Sequence, residues 1–236
     1  MTDNKKPLVV DLDGTLIKTD LLLESFMLLI KANPLNLVFV FLWLLKGKAN
    51  LKAEIARRVD ILVEVLPYNE AVVDYLKQQK KAGRTIVLAT ASHQRYAHGI
   101  ADYLKLFDDV LSSSDTLNLS GTAKRKALID RFGEGQYAYA GNAAVDLKVW
   151  SHAGSAVVVG NDRLARKAGA LCDIEASFAV ASPSLRTIVK ALRVHQWVKN
   201  ALIFVPLITS HQLQSLDVLL MSVLGFFAFS LCASSV

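Results

Sequence analysis

Short apolar segments typical of buried strands alternate with helical patterns along the chain, and this alternation restricts the possible folds more than any other feature. The strand-like segments are residues 8–10, 85–90, 137–140 and 155–159. Helical patterns fall at about 69–82, 93–105, 122–132, 143–152 and 162–169. Strands joined through helices run parallel, so the sequence predicts an α/β fold with a parallel sheet covered on both faces. Ligands of such sheets bind where the strands end.

Two aspartates follow the first of these strands, at a point where the chain has to turn. The sequence there is Asp11-Leu12-Asp13-Gly14, and glycine accepts the positive φ of a tight turn without steric cost. Two carboxylates beside a turn can hold a hard cation such as Mg²⁺, and one of them can attack a phosphorus atom. An ordinary Asx turn would explain the same residues without chemistry, so the choice depends on residues further along.

Three further segments place polar groups where predicted strands and helices meet. Thr90 ends the second strand, and its hydroxyl and the backbone N–H of Ala91 could hold phosphoryl oxygens. Lys124 opens a helix, where an ammonium and the helix N-terminus both favour an anion. Residues 141–146, Gly-Asn-Ala-Ala-Val-Asp, place a turn and an acid after the third strand. Because Asp11, Thr90 and Gly141 all fall at strand ends, we expect them to meet in one crevice.

The segment 21–66 interrupts the alternation with three predicted helices, at 21–31, 34–46 and 49–66. Inserted after the first strand, it would form a helical cap over the crevice. The middle helix is almost wholly apolar but too short to span a bilayer. A helix in the core of the cap is the favoured interpretation, and a helix at a membrane interface, anchored by flanking lysines, is the alternative.

These motifs, in this order on these elements, resemble the haloacid dehalogenase (HAD) superfamily of phosphohydrolases over about residues 7–175. The resemblance implies a Rossmann-like α/β core with a helical cap, a phosphorylated substrate and Mg²⁺ as cofactor. It implies that Asp11 is the nucleophile that forms an aspartyl-phosphate and that Asp13 is the general acid and base. Binding of the transferring phosphoryl group is implied for Thr90, Ala91 and Lys124.

The same resemblance implies a metal site formed by Asp11, Asp13, Asn142 and Asp146, with Asp13 acting through its backbone carbonyl. The chain departs from the family pattern at one position. The fourth motif of the family usually reads Gly-Asp-x-x-x-Asp, and here Asn142 replaces its first acid. An amide oxygen can bind Mg²⁺ but brings no charge, so we expect lower metal affinity and weakened or specialised catalysis. A catalytically weak scaffold domain is the alternative.

Composition and charge predict contact with membrane lipids. Hydrophobic residues make up 53% of the chain and the mean hydropathy is +0.34, which is high for an ordinary soluble domain. The net charge is +6, and the stretch between Glu175 and Asp217 contains basic residues but no acid, directly before an apolar tail. This placement favours a juxtamembrane flank over a nucleic-acid surface, so no nucleic-acid partner is expected.

The C-terminal tail is expected to hold a basic amphipathic linker helix at 181–196 and the first transmembrane helices at 197–236. Residues 192–207 (LRVHQWVKNALIFVPL) resemble the start of UbiA-type prenyltransferases, especially the decaprenyl-phosphate phosphoribosyltransferase-like branch. The Asp-rich motifs of that family would follow Val236, so the chain is expected to be cut off within a second domain.

Taken together, the sequence predicts a HAD-like core at 1–20 and 67–180 and a cap at 21–66, followed by the linker and membrane helices. The predicted function is Mg²⁺-dependent phosphomonoester hydrolysis on a polyprenyl-linked sugar phosphate, in a chain fused to a UbiA-type prenyltransferase. The predicted location is multi-pass in the inner (cytoplasmic) membrane, with the HAD-like domain on the cytoplasmic side. A membrane-anchored phosphatase of a small phosphorylated metabolite is a further alternative, and the oligomeric state is left open.

Overall fold

A computed structural model describes residues 6–180, 194–206 and 216–234 of the chain. These residues belong to two compact units, 1–180 and 181–236, which are described separately. The first unit contains the sheet and the pocket that concern function.

The first unit is built on a parallel sheet of six strands in the order β3-β2-β1-β4-β5-β6. The strands are β1 (Leu8–Val10), β2 (Ile86–His93), β3 (Asp109–Ser113), β4 (Ala138–Gly141), β5 (Ser155–Gly160) and β6 (Asp173–Ala179). β1 is central, since Val10 pairs with Leu88 of β2 on one side and with Ala140 of β4 on the other. The predicted α/β fold with a parallel sheet is confirmed.

The central strands are apolar throughout because both faces of the sheet are covered. Alternate side chains of a strand point to opposite faces, and β1 illustrates the result. Leu8 and Val10 belong to one hydrophobic cluster, which includes Leu76 of the helix before β2, while Val9 belongs to the cluster around Trp150 on the other face. The three residues of β1 are fully buried, and this burial fixes the position of the turn that follows it.

Three helices are inserted between β1 and the next strand: α1 (Leu21–Ala32), α2 (Asn36–Leu45) and α3 (Lys48–Ala56), followed by a short 3₁₀ helix at Val63–Val65. The sequence predicts one helix over 49–66, and this prediction is wrong in extent. The chain leaves the helix after Ala56, where side chains of the helix that follows β2 bind carbonyl groups at and after the helix end. Arg95 binds the carbonyl oxygen of Ala56, and the Tyr96 hydroxyl donates to that of Val59 at 2.9 Å.

Helix α2 has no buried residue, so the favoured interpretation of it as a core helix is wrong. Val40 and Trp43 are half-buried against the small cluster around Leu51 and Ile55, while Phe41 and Leu45 are 63% and 71% exposed. A helix that is apolar on every side is normally covered by protein or lipid. Contact of α2 with membrane lipids stays a prediction.

The remaining helices connect the strands: α4 (Glu70–Lys81), α5 (Gln94–Leu104), α6 (Thr122–Phe132), α7 (Leu147–Trp150) and α8 (Asp162–Gly169), with a 3₁₀ turn at Ala144–Asp146 before α7. They agree with the helical patterns of the sequence, apart from the shortness of α7. Strands β3 and β6 were not predicted. They form the two edges of the sheet, and most of their side chains are exposed or half-exposed.

The second unit contains a 3₁₀ helix at Val194–Phe204 and helix α9 at Leu216–Ser234. They pack through Trp197, whose ring contacts those of Phe226 and Phe227. The linker helix predicted at 181–196 lies outside the described residues except for its last three.

The prediction of membrane-spanning helices, and of a multi-pass location in the inner membrane, is wrong for the described part of the chain. None of the helices there combines the length and the apolar character that crossing a membrane requires. The first predicted span begins as a 3₁₀ helix of 11 residues. The second is the helix Leu216–Ser234, of 19 residues.

Candidate active site

A pocket of about 650 Å³ lies at the edge of the sheet where the central strands end. Its floor is formed by the residues that follow β1 and β4 and by the last residues of β2, and the inserted helices form part of its wall. The residues of the floor and of α6 that line it are Asp11, Asp13, Gly14, Ala91, Ser92, Lys124, Asn142 and Asp146. Of the residues that the sequence predicts for the site, only Thr90 does not line this pocket.

Asp11 directly follows β1 and forms an ion pair with Lys124. The backbone N–H of Asp11 donates to Ala140 at 3.0 Å, which ties it to β4. Nζ of Lys124 lies 2.7 Å from Oδ1 of Asp11, and the two side chains are only 5% and 14% exposed. Lys124 reaches this position because α6 begins at Thr122 and presents its first turn to the pocket. Within the described residues, Oδ2 of Asp11 makes no hydrogen bond.

Tyr139 and Asp146 extend this ion pair into a buried chain of polar contacts. Nζ of Lys124 also donates to the Tyr139 hydroxyl at 3.1 Å, and that hydroxyl donates to Oδ1 of Asp146 at 3.1 Å. Oδ2 of Asp146 accepts the backbone N–H groups of Asn142 and Ala143, each at 2.9 Å. Burial, followed by the proximity of Asp11, raises the pKa of Asp146 above its ordinary value. Burial likewise raises the pKa of Tyr139.

Asp13 is held by two donors on the side of the inserted helices. Its Oδ1 accepts the backbone N–H of Leu21 at 2.9 Å, and its Oδ2 accepts the Ser92 hydroxyl at 2.7 Å. Burial raises the pKa of Asp13 to about 6, and the two hydrogen bonds work in the opposite direction. The carboxyl group therefore titrates closer to neutral pH than an ordinary aspartate does.

Thr90 lies in β2, one residue before the pocket. Its side chain is fully buried, and Oγ1 accepts the backbone N–H of Ser92 at 2.9 Å. Ala91 and Ser92 follow it and line the pocket. The structure thus brings the backbone of Ala91 and the hydroxyl of Ser92 to the site, with the Thr90 side chain holding the irregular end of β2 beneath them.

Asn142 packs against the turn at Gly14. Its Oδ1 accepts the Thr15 hydroxyl at 3.2 Å, although the two residues are 127 positions apart in sequence. Gly14 has φ of +73°, and a Cβ atom added there would lie 2.1 Å from Nδ2 of Asn142. Glycine is therefore required at position 14 both by the backbone conformation and by the contact.

The sequence resemblance implies Mg²⁺ as cofactor, and the pocket contains oxygen atoms that suit this ion. Asp11, Asp13 and Asn142 line one pocket and offer carboxylate, carbonyl and amide oxygens, the donors that this hard ion prefers. Among the described residues, no three or more His, Cys, Asp or Glu side chains are grouped to hold a metal ion. Mg²⁺ is commonly bound by one or two carboxylates and completed by water and phosphate. The residues fit an ion held in that way.

Sequence reasoning missed Tyr139, Ser92 and Lys52 as residues of the site. Tyr139 and Ser92 act through contacts inside the fold, and Lys52 comes from helix α3 of the inserted segment. Its Nζ donates to the carbonyl oxygen of Ala91 at 2.6 Å and to Oδ1 of Asn118 at 2.8 Å. The only sign of Lys52 in the sequence is a basic residue in a helix that is expected to cover the crevice.

Comparison with known proteins identifies the family to which this fold belongs. Residues 8–150 match the model of the haloacid dehalogenase-like hydrolases, which covers more than half of the chain. The chain therefore belongs to the haloacid dehalogenase-like hydrolase family.

Individual relatives are more distant or less well characterised. An uncharacterized protein of Sinorhizobium fredii is 36% identical over 237 residues, which cover 99% of this chain but 45% of that protein. The chain thus spans less than half the length of this curated relative. A HAD-family hydrolase from Salmonella enterica serovar Typhi has a TM-score of 0.52 at 14% identity, over 73% of this chain and 68% of that one.

A phosphoserine phosphatase in its apo form has a TM-score of 0.51 at 14% identity, over 79% of this chain and 98% of that one. At such low identity, the similarity to the two solved structures shows the fold alone.

Proposed function

We propose that this chain hydrolyses phosphate monoesters through a covalent aspartyl-phosphate on Asp11. The observation that supports this best is the environment of the Asp11 carboxylate. One of its oxygens is held by Lys124 at 2.7 Å, and the other makes no hydrogen bond among the described residues. A fixed carboxylate with one uncommitted oxygen, in an open pocket, suits nucleophilic attack on phosphorus.

In the first step, Oδ2 of Asp11 attacks the phosphorus atom and the bond from phosphorus to the ester oxygen breaks. Asp13 gives its proton to that leaving oxygen, and the alcohol departs. In the second step, water attacks the phosphorus of the aspartyl-phosphate while Asp13 takes a proton from it. The bond between phosphorus and Asp11 breaks, which releases phosphate and restores both carboxyl groups.

Charge neutralisation and positioning provide most of the rate enhancement in phosphoryl transfer. Lys124 and the backbone of Ala91 are proposed to bind the phosphoryl oxygens, with the Thr90 side chain holding the end of β2 beneath them. Asp11, the carbonyl of Asp13 and Asn142 would hold Mg²⁺, with Asp146 orienting the Asn142 backbone. When bound, Mg²⁺ supplies positive charge that offsets the negative charge of the phosphoryl group.

The nucleophile is tested by Asp11→Asn, with Asp20→Asn as the matched control. Asp20 lines the same pocket and caps helix α1, and asparagine caps a helix equally well. We expect Asp11→Asn to lose at least ~10³-fold in Mg²⁺-dependent phosphate release, in line with removal of a nucleophile, and Asp20→Asn to retain activity. Equal release by Asp11→Asn and the parent protein would refute the proposed nucleophile.

The proposed substrate is a phosphate attached to a polyprenyl-linked sugar. Leu22 and Leu23 of α1 line the pocket, and Leu23 is 58% exposed, so the rim could accept an apolar chain. A small phosphorylated metabolite is the competing substrate. A sugar phosphate and its short prenyl-linked analogue distinguish them: a higher kcat/KM for the analogue supports the lipid-linked substrate, and a lower one supports the metabolite.

Two further proposals concern the rest of the protein. Fusion to a UbiA-type prenyltransferase is supported by the string at 192–207 and by the length of the Sinorhizobium fredii relative, more than half of which lies outside the match. A catalytically weak scaffold domain is supported by Asn142, which adds no charge to the site. Robust Mg²⁺-dependent turnover on a panel of sugar phosphates would exclude the scaffold.

A further inference from the structure

Lys52 is a basic residue of the inserted helices that lines the pocket. It lies on α3, and its Nζ donates to the carbonyl oxygen of Ala91 and to Oδ1 of Asn118. Asn118 in turn donates to the Ser120 hydroxyl at 2.9 Å, so its amide oxygen is directed to the lysine. Both Lys52 and Ser120 line the pocket.

The charge of Lys52 is not neutralised by a direct partner. No carboxylate in the described residues lies within 4.0 Å of its Nζ, whereas Lys124 is paired with Asp11. Burial lowers the pKa of Lys52, while the more distant Asp13 and Asp20 work in the opposite direction. An ammonium group has three N–H donors, and two of them are used.

Contacts of neighbouring residues hold helix α3, and with it Lys52, in place. Arg57, at the end of α3, forms an ion pair of 2.6 Å with Asp115, and Arg95 of α5 binds the carbonyl oxygen of Ala56. Four residues of α3 are buried as well, and this packing positions the helix more than the exposed ion pair does. Lys52 is therefore a positioned cation that keeps one donor for a ligand in the pocket.

We propose that Lys52 binds a second anionic group of the substrate, a carboxylate or a second phosphate on the leaving group. The proposal rests on the function proposed above, in which Lys124 of α6 takes the transferring phosphoryl group. Since Lys52 belongs to the inserted segment and Lys124 to the core, the two ammonium groups contact different parts of one substrate. The phosphodiester of a polyprenyl-linked sugar phosphate is one group that meets this requirement.

The experiment compares substrates that differ only in the second anion. 2-Phosphoglycerate carries a carboxylate where glycerol 2-phosphate carries a CH₂OH group, and fructose 1,6-bisphosphate adds a phosphate to fructose 6-phosphate. We expect the parent protein to prefer the more anionic member of at least one pair. The pair that shows the preference identifies the anion as a carboxylate or a phosphate.

Variants of Lys52 test whether this residue causes the preference for the more anionic substrate. Lys52→Met should raise KM for the preferred anionic substrate by about 10-fold or more, as for loss of a charge-assisted hydrogen bond. The loss should be clearly smaller for the matched substrate that lacks the second anion, so the ratio of the two kcat/KM values should fall towards one. Lys52→Arg keeps the charge and should restore most of the preference, which also controls for misfolding.

Two results would overturn the proposal: equal loss by Lys52→Met on both members of each pair, or hydrolysis of both members of each pair by the parent protein without a preference. Binding to the Asp11→Asn protein, measured by calorimetry, gives a readout that does not depend on turnover. If that protein binds 2-phosphoglycerate and fructose 1,6-bisphosphate no tighter than their partners, the role of Lys52 fails even where hydrolysis is observed. If it binds one of them tighter while the parent protein hydrolyses none, the anion site stands and the proposed function fails.

Discussion

Replacing Tyr139 by phenylalanine should destabilise the protein, whereas the same replacement at Tyr137 should not. Both tyrosines are fully buried, and they are two residues apart. The Tyr139 hydroxyl accepts from Lys124 and donates to Asp146. The Tyr137 hydroxyl is buried and has no hydrogen-bond partner among the described residues. The pair therefore isolates the effect of the polar chain behind Asp11.

The expected size of the effect follows from these contacts. Hydrogen bonds to charged groups contribute about 1.5–3 kcal/mol each, and Tyr139→Phe removes two. Lys124 keeps Asp11 as a partner, and Asp146 keeps two backbone donors, so neither charge is left alone. We therefore expect a loss of about 2 kcal/mol in the free energy of unfolding, which corresponds to a fall of roughly 4–8 °C in Tm. Tyr137→Phe should be neutral or stabilise the protein by up to about 1 kcal/mol, because it removes an unsatisfied hydroxyl.

Urea unfolding at constant pH measures both free energies, and phosphate release measures the consequence for the site. Tyr139→Phe should also lower kcat, since Lys124 loses one of the contacts that hold it beside Asp11. Tyr137→Phe should leave kcat unchanged. Equal stability of the two variants would refute the reasoning, because the contacts of Tyr139 would then contribute nothing that Tyr137 lacks.

Two further predictions concern charge. Burial acts to raise the pKa of Glu175, but hydrogen bonds from Arg84, Tyr75 and Ser155 outweigh it and hold that pKa below 4.5; the stabilisation is thus present above pH 4.5 and lost as the pH falls through the lowered value. Glu175→Gln should accordingly lower the urea midpoint at pH 7 and much less at pH 3, and an equal difference at both values would contradict this. Asn142→Asp adds a charged oxygen to the pocket, so the Mg²⁺ concentration for half-maximal phosphate release should fall by about tenfold. An unchanged or higher requirement would count against Asn142 as a ligand.

The sequence predicts the fold wherever burial is complete. β1 and β4 are apolar in every residue because they lie inside the sheet, so their patterns cannot be confused with loops. The edge strand β6 contains Asp173, Glu175 and Ser177, and its identity depends on pairing with β5. The end of α3 depends in the same way on side chains of α5, which no local pattern reveals.

The candidate site likewise contains residues that the sequence predicts and residues that depend on tertiary packing. Asp11, Asn142 and Asp146 are predictable because each follows a strand and parallel strands end at one edge. Tyr139 is part of a strand, and nothing in the sequence distinguishes it from Tyr137. Lys52 becomes visible only when α3 is packed over Ala91. The exposure of α2 likewise depends on tertiary packing, since its composition would suit a core helix equally well.

The central position of β1 has a consequence for how the protein is made. β1 is synthesised first, yet Val10 finds its partners only when Leu88 and then Ala140 have been added. At the usual rate of translation, of roughly 5–20 residues per second, the interval is on the order of ten seconds or more. During that time the wholly apolar strand β1 has at most one of its two neighbours, so its apolar side chains stay partly uncovered until β4 is added. Lys124 also arrives late, 113 residues after Asp11, so the ion pair between the two forms only after the first turn of α6 has been made.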